Sequence, residues 1–339
     1  MQTAMRYCSL LALAFAIATV LSACRGGGGQ SSPFTDRLIL NRPDGIVERD
    51  LASGDERLLI PPLENTILVE PAVSRDGMQI AYIGLLGAVV VPGQPTDLGS
   101  DVYVAAADGS NPRMLLEHAV RGEQLHSPVW LPDGNLVIYS QRFENRMIVV
   151  DIERVDVATG ERTVIINNGF APGPSPDGTE VVFIRPEPTL TVSLWTADID
   201  GLSERRLVRD SNLASFNDPR YSPDGRYVAL GAAGQGDFAS APNTAQAFVS
   251  LRGAGATTLA IDRMNGLPED IWLIDMQTGD ASRLADLDLD QPSVAWSGDG
   301  QRIFALGDKG LYYIDPAGGE QRIGEGQFHG QLDWLSAGP

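Results

Sequence analysis

Glu70, Ser127, Ala171, Asp218, Gln291 and Gln331 each stand a few residues ahead of a similar short phrase, and His126 and His329 lie one or two places further out. Carboxylates, carboxamides, a hydroxyl and imidazoles brought to one place could hold a sugar, a peptide terminus or a metal ion. An acid within reach of His126 or His329 would also make an acid–base pair. The same residues could equally cap strands and face water. His118, His126 and His329 offer the nitrogen donors of a three-histidine metal site. The run "DLDLDQ" sets Asp286, Asp288 and Asp290 at alternate positions, as calcium loops do, yet it lacks the turn glycine and downstream Glu of an EF-hand. There is no G-x-S-x-G elbow and no Ser/His/Asp spacing, and "GGGG" (Gly26 to Gly29) follows no strand pattern. The chemistry-bearing residues point to binding without a cofactor rather than to catalysis.

A repeat positions these residues. "YSPDGRYVAL" (Tyr221 to Leu230) has relatives in "VSRDGMQIAY" (Val73 to Tyr82), "WLPDGNLVIY" (Trp130 to Tyr139), "PSPDGTEVVF" (Pro174 to Phe183) and "WSGDGQRIFA" (Trp296 to Ala305). Each reads as strand, tight turn, strand. The Asp hydrogen-bonds its own backbone and the Gly takes a positive φ that side chains resist. The glycines Gly77, Gly134, Gly178, Gly225 and Gly300 are spaced 57, 44, 47 and 75 residues apart, so a period near 44 carries insertions in two intervals. A second phrase alternates with the first, as in "VYVAAADGSNPRMLL" (Val102 to Leu116) and "LWTADIDGLSERRLV" (Leu194 to Val208). It occurs six times, the earliest copy being "VERDLASGDERLLI" (Val47 to Ile60).

The chain's last residues reconcile five with six. "DWLSAGP" (Asp333 to Pro339) aligns with "VWLPDGN" (Val129 to Asn135), and its missing second strand is "RLILN" (Arg37 to Asn41). Six four-stranded units follow, one of them split between the termini, and such a split closes a ring without unpaired edges. The fold class is all-β: a six-bladed β-propeller whose C-terminal strand, around Trp334, joins the N-terminal blade (Arg37 to Ile60). "SPDGR", "VYVAAADGSNPRML" and the period resemble the propeller repeats of the TolB family over roughly residues 37 to 338. TolB itself has an α/β domain ahead of its propeller and is soluble in the periplasm. Neither feature is expected here, so its Tol–Pal role does not carry over. Prolyl-oligopeptidase-type enzymes also carry such propellers, but with a hydrolase domain of which no motif is seen.

The N-terminus gives a location. Arg6 precedes an apolar run from Leu10 to Leu21 that ends in "LSAC" (Leu21 to Cys24). Positive charge, a short apolar core and small residues make a secretion signal, and the core is short for a membrane span. "LSAC" resembles the bacterial lipobox, which implies a lipid on Cys24 and a protein held at a membrane on its extracytoplasmic, periplasmic or cell-surface side. Residues 1–23 then form the signal peptide, 24–35 a Gly/Ser-rich tether, and 36–339 one propeller domain with insertions at 85–100 and 232–270. The chain carries a net charge of −19, and Lys309 is its single lysine. That balance excludes nucleic acid as a partner, since phosphate recognition needs clustered cations.

In this topology the links between blades and both insertions share one face, where the central channel opens and the six leading residues ring its mouth. Its two mouth histidines, His126 and His329, sit three blades apart and His118 sits before a link, an arrangement unsuited to one metal. The expected function is a lipid-anchored, non-enzymatic scaffold for an envelope protein. The alternative is a receptor for a small molecule, glycan or peptide at the channel mouth, followed by a channel-centred hydrolase or lyase.

Overall fold

The computed structural model describes residues 36–87, 97–145, 147–187, 191–208, 213, 215–234, 268–325 and 330–335. Cys24, the signal and tether segments, His329 and most of both insertions lie outside these residues.

The strands run in chain order. β1 (Arg37–Arg42), β2 (Gly45–Asp50) and β3 (Glu56–Ile60) come first, then β4 (Thr66–Val73), β5 (Gln79–Leu86), β6 (Ser100–Ala106) and β7 (Arg113–Leu116). β8 (Gln124–Trp130), β9 (Leu136–Glu144), β10 (Met147–Val155) and β11 (Arg162–Asn167) follow. After them come β12 (Phe170–Pro174), β13 (Glu180–Pro186), β14 (Val192–Asp198) and the short β15 (Arg205–Arg206). The last are β16 (Asn217–Tyr221), β17 (Tyr227–Ala232), β18 (Glu269–Asp275), β19 (Ala281–Leu289), β20 (Ser293–Trp296), β21 (Ile303–Gly307), β22 (Gly310–Ile314), β23 (Glu320–Gly324) and β24 (Leu332–Leu335).

These strands form six four-stranded antiparallel sheets, and the fold is a six-bladed β-propeller. Blade one has the order β24-β1-β2-β3, with Arg37 opposite Leu335 and Leu40 opposite Leu332, so the split unit closes the ring. Blades two to six are β4–β7, β8–β11, β12–β15, β16–β19 and β20–β23, and β24, β4, β8, β12, β16 and β20 line the channel.

Apolar side chains alternate to both faces of each sheet, so the core lies between blades. Six buried clusters occupy the six seams. Leu38, Leu40, Leu306 and Phe304 fill the seam between blades six and one, and Ile39, Leu68, Ile80 and Tyr82 fill the next. Each fully buried Leu or Ile contributes about 1.5–3 kcal/mol by leaving water.

Two turn types share one rim. The inner hairpins close on Ser-x-Asp-Gly: Ser74 Oγ donates to Asp76 Oδ1 at 2.6 Å, and the Gln79 N–H donates back to Ser74 Oγ at 2.8 Å. Ser175, Ser222 and Ser297 repeat the bond to their own Asp. The hydroxyl bond and backbone N–H groups hold the Asp76, Asp177 and Asp224 carboxyls below the usual carboxylate range. The glycine of the second phrase does more than turn. A Cβ on Gly109 or Gly201, both at φ near +80°, would collide with the Leu59 or Ile165 carbonyl of the preceding blade. Its turn is a docking contact, which requires Gly on steric grounds as well as conformational ones.

We call the rim with the inner hairpins the turn face, and the rim with the interblade links the connector face. The strand ends that flank both insertions, between β5 and β6 and between β17 and β18, lie on the connector face.

Candidate functional site

Four of the six anticipated mouth residues lie inside an inner strand. Glu70, Ser127, Ala171 and Asp218 each precede a proline, have φ between +46° and +53°, and sit where the pairing register shifts by a bulge. Proline has no N–H to leave unpaired, which suits it to a bulge. Blades six and one differ. β20 and β24 pair without a bulge, so Gln291 and Gln331 stand just ahead of their strands. Gln291 keeps the positive φ (+46°) and the following proline, but by count back from the hairpin glycine the position of Asp218 falls in blade six on Ser293. The Gln-Pro pair of Gln291 and Pro292 mimics the X-Pro bulge two residues early, and this hid Ser293 from sequence reasoning.

Glu70, Ser127, Asp218, Ser293 and Gln331 clasp one blade to the next. Glu70 Oε2 accepts the Ser127 N–H at 2.6 Å and its Oε1 lies 3.2 Å from His126 Nδ1. The His126 ring stacks on Tyr139, with centroids 5.0 Å apart. Asp218, 4% exposed, accepts the Ser293 hydroxyl at 2.6 Å and the Val294 N–H at 3.1 Å. Its other oxygen pairs with Arg220 at 2.7 Å, and Ser293 Oγ accepts the Leu332 N–H at 3.3 Å. Gln331 Nε2 donates to Ser127 Oγ at 3.3 Å across an intervening strand. Deeper in the channel, Asp333 accepts the Val73 N–H at 2.7 Å and the Trp334 N–H at 2.8 Å. Burial pushes the Asp333 carboxyl up to about 6, against the pull of those bonds and of nearby Arg220. Asp333 was missed because its five counterparts, Ala72, Val129, Gly173, Arg220 and Ala295, share no chemistry with it.

A channel cavity of about 370 Å³ opens on the turn face. Its wall includes Val73, Trp130, Pro174, Tyr221 and Trp296, the last residues of their inner strands, with Asp333 and Trp334 of β24. Trp130 and Trp296 donate their indole N–H groups to the Ala72 and Arg220 carbonyls of the preceding blade, which wedges the seams.

The remaining candidates fall elsewhere. His118 is held between Asp101 at 2.7 Å and Asp97 at 3.1 Å, so both ring nitrogens are engaged. Burial opposes its charged form, but the two carboxylates prevail and raise its pKa above the ordinary imidazole value. Asp97 also accepts the Gly122 N–H at 3.0 Å, which pins the end of the first insertion to the link between blades two and three. In the acidic run, Asp286 and Asp288 converge with Asp270, their oxygens within 4.8 Å of one another. Asp290 is directed elsewhere and its N–H donates to Asp308. Arg283 already lies 3.1 Å from Asp270 and 3.2 Å from Asp286. Three carboxylates with a resident guanidinium fit calcium poorly, since that ion takes about six to eight oxygens. Asp270 has a structural duty instead. It accepts the Leu287 N–H 17 residues on, as Asp101 does from His118 and Asp151 from Asn168.

No protein-family model matches the sequence, and no curated protein matches it. Solved structures do. TolB from Acinetobacter baumannii superposes with a TM-score of 0.60 at 15% identity, covering 88% of this chain and 66% of its own. A TolB-like protein of Agrobacterium tumefaciens gives 0.56 at 23% identity, covering 80% of this chain and 84% of its own. The fold is that of a TolB-like six-bladed β-propeller. The chain spans just under two thirds of the Acinetobacter protein, and at these identities the likeness is one of architecture.

Proposed function

We propose that the protein is a scaffold of the cell envelope, anchored by a lipid on Cys24, whose connector face receives a partner protein. The observation that carries this reading is that the strand ends flanking both insertions lie beside a channel mouth where Glu70, Ser127, Asp218 and Gln331 are spent on holding the ring. Glu70, Ser127, Asp218 and Gln331 bond mainly to one another and to neighbouring backbone, which makes a rigid platform. Its variable parts are the loops around it, and rigid frames with variable loops are the usual site of recognition. The TolB-like architecture supports the same reading, as does the "LSAC" signal for the location.

The test is site-specific photo-crosslinking of the full-length protein in native envelopes. A crosslinker at Gln291 on the connector face should capture one partner, and the adduct should vanish when residues 235–267 are deleted. A crosslinker at Asp177 on the turn face should not capture it. Capture from Asp177 alone, or an adduct indifferent to the deletion, would sink the proposal.

A further inference from the structure

The turn-face cavity lies on the opposite rim from the proposed partner surface, and nothing above assigns it a role. Its wall is about half apolar, built from Val73, Val129, Trp130, Pro174, Trp296 and Trp334, with Ser74, Ser175 and Tyr221 among the polar groups. The carboxylate at its inner end is Asp333, whose oxygens accept one backbone N–H each and retain capacity for another donor. The groups around Asp333 do not balance its charge. β16 contributes Asp218 and Arg220, and that guanidinium is committed to Asp218 at 2.7 Å and to the Pro172 carbonyl at 3.3 Å. β4 contributes Glu70, set against His126 of β8.

The rim around the entrance carries both carboxylates and guanidinium groups. Asp76, Asp177 and Asp224 ring the rim as ionised carboxylates fixed by serine hydroxyls and backbone N–H groups. Asp133 and Asp299 complete that ring, paired with Arg154 and Arg302. Arg75, the cation nearest the opening, is turned across it onto the Pro176 carbonyl. With Arg75 held on that carbonyl at the opening, Asp333 is the charge presented at the base of the cavity, and a carboxylate in a largely buried site draws a cation.

We propose that the turn-face cavity binds a compact organic cation, an alkylammonium group whose chain lies against the tryptophan-lined wall and whose nitrogen meets Asp333. The occupant is a free amine or the lysine side chain of a polypeptide. The two share one chemistry, an apolar stem with a charged head. This inference is independent of the connector-face reading, and either can fail alone.

The experiment titrates the full chain with n-butylammonium and, as a neutral control, n-butanol. The readout is the fluorescence of the wall tryptophans, backed by calorimetry. The ammonium should saturate with a dissociation constant on the order of 1 mM, as befits about five heavy atoms, and butanol should not. Asp333→Asn should weaken binding by about tenfold or more, while Glu64→Gln on the connector face should leave it unchanged. Affinity should fall as the pH drops below about 6 and Asp333 takes up a proton. Because Asp333 also clasps β4, a second variant guards against misfolding. Val73→Trp installs the residue that blades one, three and six carry at this place, and it should block binding in a folded ring. Nα-acetyl-lysine amide binding more tightly than butylammonium would indicate a polypeptide source, and equal binding a free amine. Equal binding of butanol, no saturation by 100 mM amine, or undiminished affinity in both Asp333→Asn and Val73→Trp would overturn the proposal.

Discussion

The hairpin turns and the inner wall of the ring are built on opposite principles. In each Ser-x-Asp-Gly turn the hydroxyl reaches an Asp two residues away, so the structure is complete within one phrase. Along the inner wall, Glu70 reaches 57 residues to Ser127, Asp218 reaches 75 to Ser293, and Asp333 reaches 260 to Val73. The turns therefore repeat while the clasps differ from seam to seam. Local bonds need only a blade to form. Clasps need the ring, and should fail with it.

The largest effect is expected from the seam that closes the circle. A chain ending at Gly330 lacks β24, and with it Leu332, Leu335, Trp334 and the Asp333 clasp. It leaves β1 as an open edge, a template for association. We expect loss of the single cooperative urea transition and concentration-dependent aggregation in size-exclusion chromatography. An unchanged midpoint in a monomer would show that closure is dispensable. Next comes Asp218→Ala, which removes the acceptor for Ser293 and Val294 and leaves Arg220 without its carboxylate. Breaking one side of a largely buried pair should cost about 3 kcal/mol in equilibrium unfolding. Asp218→Asn, which keeps an acceptor, should cost less. Equal losses for the two would mean that the charge, not the hydrogen bonding, holds the seam.

That contrast also explains what was legible in the sequence. The hairpin glycines and the Trp130–Trp334 correspondence are local or periodic, and they led directly to six blades and the split first one. The clasps are neither. Ser293 was hidden by the Gln291–Pro292 pair, Asp333 stands among counterparts of unrelated chemistry, and Asp270 joins Asp286 and Asp288 only after β18 and β19 pair. Glu70, Ser127, Asp218 and Gln331 were found because an inner strand had to begin near them. Their bonding to neighbouring blades could not be read without the ring's geometry.

Glu269 offers a smaller effect, and one of opposite sign. It opens β18 on the connector face, where Ser215 donates to one oxygen at 2.7 Å, and the other oxygen is buried with no hydrogen bond among the described residues. Burial pushes its carboxyl up to about 7, with Asp290 adding to the shift. The folded state thus binds this proton more tightly than the unfolded chain does. Between about pH 4 and 7 the group costs stability as pH rises, and the full penalty is present above that range. Glu269→Gln should therefore stabilise the protein at pH 8 by on the order of 1–3 kcal/mol and flatten the dependence between those limits. Thermal melts across that range would show it, and a variant less stable at pH 8 would mean that the carboxylate has a partner in the folded protein.

The smallest effect belongs to the turns. Ser175→Ala removes the 2.6 Å bond to Asp177 and the acceptor for the Glu180 N–H at 2.9 Å. Blade three already does without such a hydroxyl. Leu131 stands in the serine's place, yet the Gly134 N–H still closes on the Leu131 carbonyl at 3.0 Å and the Asn135 N–H on Asp133 at 3.0 Å. Backbone and Asp suffice to make the turn, so the serine's share is one or two hydrogen bonds near water. Ser175→Ala should cost about 1 kcal/mol or less, roughly a third of Asp218→Ala under the same urea titration. The reverse exchange, Leu131→Ser, should cost more than Ser175→Ala, because Leu131 is buried in the seam between blades three and four. If Ser175→Ala matched Asp218→Ala, the turns would be part of the cooperative ring, and the division between local turns and long-range clasps would have to be abandoned.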